Sequence, residues 1–239
     1  MKETQVPLLS VVIPAYNEAE YIREALDAVH TALAVSGLES SEVIVADDDS
    51  TDSTAEIAEA AGALVVHSGK RNIGATRNVG ARAACGEYLL FLDADTSLVA
   101  ENISELLEAM RDDALAGGAP VAWSGRAPFW YRLASGTWNL LGVLFKLPAG
   151  SFFFVKNDAF EKVGGFDEEH YVAEELYLAR KLKRLGKLRL LSTPVASSPR
   201  KAFQFSAWDF AKVLFRTAFS PFGFTRKREG LEMWYERRR

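Results

Sequence analysis

The chain has 239 residues, 49% of them hydrophobic and 25% charged, which is enough apolar material for one sizeable core and excludes a disordered chain. Its net charge of −4 conceals an acidic body and a basic end: residues 1–175 hold 12 basic and 28 acidic groups, residues 176–239 hold 16 and 4. The single Cys85 excludes an internal disulfide framework and, lying among small residues, reads as packed rather than reactive.

Residues 8–13 (LLSVVI) form a short β-branched run stopped by Pro14 and read as a buried parallel strand. A helix should follow, capped by Asn17 with Glu20 three residues on, because Ile22, Leu26, Val29 and Leu33 recur at helical spacing. The cycle repeats: strand at 42–46, helix at 54–61, strand at 63–67, helix at 75–84, strand at 88–92 (YLLFL). Such alternation predicts right-handed crossovers and an α/β fold, a mostly parallel sheet covered by helices on both faces. The apolar stretch 129–147 is interrupted by Arg132, Asn139 and Lys146, too short a run to span a bilayer.

Ligands of such sheets bind beyond the carboxyl ends of the strands. Those ends are acidic here: Pro14-Ala15-Tyr16-Asn17-Glu18, then Asp47-Asp48-Asp49-Ser50, then Asp93-Ala94-Asp95. Two carboxylates one residue apart suit magnesium or manganese, which take one or two protein oxygens and leave the rest of the shell to water and phosphate. Taken alone, the pair is equally a strand end that caps a helix. Three adjacent aspartates repel unless compensated. Ser50 to Asp52 read as the cap of the next helix and Asp48 as the ligand-facing member, able to accept the imide N–H of a base.

The segments VVIPAYNE (11–18), VIVADDDST (43–51), GEYLLFLDAD (86–95) and GGFDEEHYVAEELYLARKLKRLG (164–186) together resemble the family-2 glycosyltransferases of the GT-A, Rossmann-like fold, over about residues 8–200. The resemblance implies an inverting enzyme that takes a sugar from a nucleotide diphosphate donor with a divalent cation. Pro14, Ala15, Tyr16 and Glu18 would line the nucleoside pocket beside Asp47, and Asp48 would hold the base, with uridine preferred. Asp95 would be the principal metal ligand and Asp93 its partner, on metal or ribose. Arg77 matches a position that often approaches the donor, and equally reads as a solvated helix residue. Arg200 and Lys201 would approach the diphosphate.

Inversion needs one base, to take the proton of the acceptor hydroxyl. The resemblance places it at the second residue of Glu174-Glu175, where the family usually has aspartate; Glu175 is the expected base and Glu174 the lesser candidate. Both glutamates also suit a first helical turn. Asp49 stands where the family usually has glycine, at a position expected to need positive φ, and Gly164-Gly165 match its glycine pair. His67 and His170 lack metal-ligand spacing and read as structural.

The implied domain is 1–202, a nucleotide-binding half to about 97 and an acceptor-binding half from 98, followed by a basic aromatic tail at 203–239. Ser206 to Asp209 have capping-box form, and Phe210, Leu214, Phe215 and Phe219 then share one helical face. That helix is expected to pack on its own domain, on a second copy, or on an anionic membrane that presents a lipid-linked or glycan acceptor. No recognition motif points to nucleic acid. With no secretory h-region, a cytoplasmic location is expected, peripheral to the inner membrane face if the tail binds lipid. A sugar nucleotidyltransferase is the rival enzyme, and a nucleotide-binding module without catalysis the rival of another class. The first loop, lacking glycine and lysine, argues against the nucleotidyltransferase.

Overall fold

The computed structural model describes residues 6–145, 147–209 and 212. In chain order the elements are β1 (Leu9–Ala15), α1 (Ile22–Val35), β2 (Ser41–Asp47), α2 (Thr54–Ala60), β3 (Leu64–His67), α3 (Ile73–Ala83), β4 (Tyr88–Leu92), β5 (Thr96–Ser97), α4 (Ala100–Arg111) and β6 (Ala116–Gly118). There follow β7 (Val121–Trp123), α5 (Phe129–Phe145), β8 (Phe152–Lys156), α6 (Asn157–Lys162), α7 (Glu174–Leu182), β9 (Leu188–Leu190), β10 (Val195–Ser197) and α8 (Arg200–Gln204).

The main sheet has the order β3-β2-β1-β4-β8-β6-β9, parallel except for β8, which runs antiparallel to both neighbours. A small sheet, β5-β10-β7, stands beside it. Strand alternation splits the apolar residues between two cores. Val11, Ile13, Leu90, Phe152 and Phe154 face α1 and α4 through Leu26, Ile103 and Leu106. Val12, Phe91, Phe153 and Val155 face the other layer, with Phe160, Phe166, Leu178 and Leu182. The sheet runs on past residue 97, so the segments before and after that position share it.

Several local expectations are corrected. β1 continues through Pro14 to Ala15. Ala15 accepts from the Asp48 N–H on the β2 side, so Pro14 turns towards β4, where pairing has already ended at Val12, and its missing N–H leaves no bond unmade. Asn17 does not cap α1, whose N-cap is Tyr21. It adopts φ 53° and is engaged with the next loop, its carboxamide oxygen accepting from the Thr51 N–H at 2.7 Å. α3 starts at Ile73, two residues earlier than read, because Asn72 caps it by accepting from the Ala75 N–H at 2.9 Å. The same Asn72 donates to the carbonyls of Glu168 and His170. The N-cap of α2 is Ser53, and Asp52 supplies the carboxylate that receives the Thr54 N–H. Cys85 is exposed, not packed. Stretch 129–147 supplies helix α5. Of the tail, Ser206 and Asp209 exchange the reciprocal bonds of a capping box, while the helical face from Phe210 onward lies outside the described residues.

Close approach of elements dictates glycine at two sites. A Cβ on Gly80 would run into Val12, where α3 crosses β1, and one on Gly117 into the Arg189 carbonyl between β6 and β9. The obstacle at Gly117 is backbone and cannot rotate away. Gly117→Ala is therefore expected to cost about 3 kcal/mol, read from the urea midpoint; an unchanged midpoint would refute this packing.

Candidate active site

The acidic strand ends converge at the carboxyl edge of the sheet, each held by the loop beside it. In the first loop, the Glu18 N–H donates to Thr54 Oγ1 at 2.8 Å and the Ala19 N–H to Asp52. In the second, Asp49 adopts φ 59°, the expected positive value, and Asp48 is buried with Oδ1 accepting from the N–H groups of Lys70 and Arg71 at 2.7 and 2.8 Å. Only the second oxygen of Asp48 is thus uncommitted. The Arg71 guanidinium lies 3.6 Å from the centroid of the Tyr16 ring, forming a planar wall beside Asp48. Asp47 accepts from the Ser50 N–H, while its Oδ1 is buried without a partner. An orphaned buried acceptor is a cost that a donor from outside the described residues would relieve.

Arg77 is not a solvated helix residue: it is 2% exposed. From α3 it donates to Glu174 Oε1 at 2.6 Å, to Asp93 Oδ1 at 2.9 Å and to the Gly150 carbonyl at 3.0 Å. One cation thereby ties the end of β4 to the start of α7 and to the loop before β8. Burial pulls its pKa down, but Asp93, Glu174 and Glu175 outweigh burial and hold it above the usual value.

Glu174 is consumed by this bridge; Glu175 is not. A Cβ on Gly150 would stand 3.4 Å from the Glu175 carboxyl carbon, so that carboxyl borders the same loop. Burial raises its pKa, the Glu174 charge raises it further and Arg77 opposes, leaving it pushed up to about 8. A buried carboxyl with a raised pKa beside other ionisable groups is a general-base candidate. The preceding Ala173 carries φ 63°, a strained conformation for alanine that sets the entry to α7.

Arg200, the first residue of α8, grips Glu18 with two bonds of 2.6 Å and approaches Asp95 Oδ2 with Nε at 2.9 Å. Burial lowers its pKa, but the Glu18 bonds and the Asp95 charge prevail and raise it. The Lys201 side chain lies outside the described residues. Tyr131 of α5 was missed in the sequence; burial and then the Asp95 charge push its hydroxyl up to about 12. Its ring lies 4.5 Å from that of Trp123. The aromatic cluster Trp123, Trp130 and Tyr131 was the available signal. His170 stacks on Tyr177 at 4.0 Å and is buried, a packing role, whereas His67 is largely exposed 3.6 Å from Asp47.

Asp93 and Asp95 each retain one oxygen that no described residue engages, and no group of three metal-ligating side chains occurs among the described residues. Two hard oxygens on carboxylates one residue apart fit a magnesium or manganese ion completed by phosphate and water.

The family model described as "Glycosyl transferase family 2" matches residues 10–164. The chain belongs to that family. It is 28% identical to the dolichol-phosphate mannosyltransferase of Pyrococcus furiosus over 171 residues, 65% of this chain and 48% of that protein. The chain spans about a quarter to a half of the length of the curated relatives it matches. Among solved structures it is similar to Staphylococcus aureus TarS 1-349 in complex with UDP-GlcNAc, with a TM-score of 0.63, 19% identity and coverage of 95% of this chain and 78% of that one. It is also similar to the mannosyltransferase PcManGT of Pyrobaculum calidifontis in complex with GDP-Man and Mn2+, with a TM-score of 0.67, 22% identity and coverage of 89% and 65%. These establish the GT-A fold.

Removing the central cation should be costly. Arg77→Met is expected to lose about 3–5 kcal/mol by leaving Glu174 buried and unpaired. Glu174→Gln added to it should restore part of that loss in urea titrations. Equal stability of Arg77→Met and the parent would contradict the bridge.

Proposed function

We propose that the chain transfers a sugar, with inversion, from a nucleotide diphosphate donor to an acceptor hydroxyl. The observation that carries this reading is the Arg77 bridge, which sets the donor-side Asp93 and the base-side helix α7 against one loop. Family membership and the nucleotide-sugar ligands of the two neighbours support it.

In this reading the nucleoside lies against Pro14, Ala15 and Tyr16, and Asp48 accepts the base N–H with its uncommitted oxygen. Asp47 Oδ1 takes a ribose hydroxyl. Asp95 and Asp93 hold magnesium or manganese, which when bound neutralises charge developing on the departing diphosphate. Arg200 swings from Glu18 towards the same oxygens. Glu175, backed by Gly150, removes the acceptor proton as its oxygen bonds to the anomeric carbon. Glu174 keeps Arg77 in place and takes no proton. Uridine as the base, and a lipid-linked or glycan acceptor, are the finer parts of this proposal.

Glu175→Gln is expected to lower the transfer rate by about 10²–10⁴-fold while sparing donor affinity. Full activity in that variant would remove Glu175 from the base role. Asp95→Asn should abolish manganese-dependent donor binding in calorimetry. Because the base works ionised and its pKa is raised, the rate should climb with pH through about 8 and be lost below it. A profile flat from pH 6 to 9, by roughly the same logic, would contradict that tuning.

A further inference from the structure

The outward face of α5 is built the wrong way round for water. Its inner face is anchored: Asn139 exchanges both amide bonds with the backbone of Val121, Trp123 Nε1 donates to Ser135 at 2.8 Å, and Tyr131 and Gly142 are buried. On the opposite side, Phe129, Leu133, Leu140 and Leu144 recur at helical spacing, flanked by Leu141 and Val143, and every one is exposed. Phe129 reaches 81% and Leu144 65% exposure. A surface helix normally turns such residues inward, and a contiguous apolar stripe marks a surface that something covers.

Charge indicates what covers it. Residues 114–157 contain no aspartate or glutamate in a protein with 32 acidic residues, yet they include Arg126 and Arg132, both exposed beside the stripe. A second exposed apolar pair, Phe203 and Trp208, follows in the segment opened by α8, within the strongly basic end of the chain. The first residue of α8 contacts Asp95, and Tyr131 near the start of α5 feels the same carboxylate. Both apolar elements therefore set out from the metal-binding side of the site.

We propose that the exposed face of α5 lies on an anionic lipid surface, its leucines and Phe129 at the boundary of headgroups and acyl chains, with Arg126 and Arg132 on lipid phosphates. Apolar burial supplies the contact and basic residues select the charged leaflet. Among the described residues no helix is long and apolar enough to cross a membrane, so the contact is one of lying on the surface. It would bring the Asp95 rim to the bilayer and favours a lipid-linked acceptor. That consequence rests on the transfer reading; the contact itself does not.

The test is co-sedimentation of the full chain with vesicles of about one-third phosphatidylglycerol in phosphatidylcholine, against phosphatidylcholine alone. It is repeated with Leu133→Gln, Leu140→Gln and Leu144→Gln combined, after confirming an unchanged melting temperature. The expected result is binding to the anionic vesicles with tryptophan quenching by brominated lipid, and at least tenfold weaker binding of the triple variant. Undiminished binding of the variant would place the contact elsewhere, on the basic end of the chain. Absence of vesicle binding, with a parent dimer that the variant dissolves, would assign the stripe to a second copy; either result overturns the proposal. Because nothing in the assay depends on turnover, its failure leaves the transfer reading standing.

Discussion

Arg77 holds the site together. A guanidinium at 2% exposure is tolerable only with its charge answered, and here Asp93 and Glu174 answer it from two different elements. The pairing is reciprocal, since the buried Glu174 carboxylate has its charge answered by the same guanidinium. By also gripping the Gly150 carbonyl, Arg77 fixes the loop against which the Glu175 carboxyl lies. Two carboxylates adjacent in sequence thus acquire opposite roles. Glu174 is bonded to Arg77, and Glu175, near the same guanidinium, is left with a raised pKa because burial and the Glu174 charge outweigh it.

Arg200 repeats this logic at the rim, with Glu18 and Asp95 as partners. The difference is exposure. Arg77 is sealed within the fold and works as scaffold, while Arg200 retains side-chain exposure of 17%.

The strands β1 to β4 were legible from their apolar, β-branched runs, which in β1, β4 and the second half of β2 are buried on both faces, and the edge they define was legible from the acids that end β2 and follow β4. Less visible were features set by distant contacts. Asn17 has the composition of a cap, yet the Thr51 N–H, 34 positions away, captures its carboxamide. Arg77 reads as a surface helix residue because its partners are 16 and 97 positions off. The β6 strand is invisible to propensity, since Gly117 and Gly118 are there for close approach rather than for strand preference. Helix α5 has an apolar pattern that does not distinguish core from interface; only its exposure separates them.

A single base acting opposite the leaving diphosphate inverts the anomeric carbon, and product stereochemistry tests that most directly. Slow hydrolysis of an α-linked nucleotide-sugar donor by the protein can be followed by proton NMR before the freed sugar equilibrates, with water in place of the acceptor. The arrangement of Glu175 against Asp93 and Asp95 predicts that the β-anomer appears first. Initial release of the α-anomer would require a second displacement at the anomeric carbon and would contradict the one-base site.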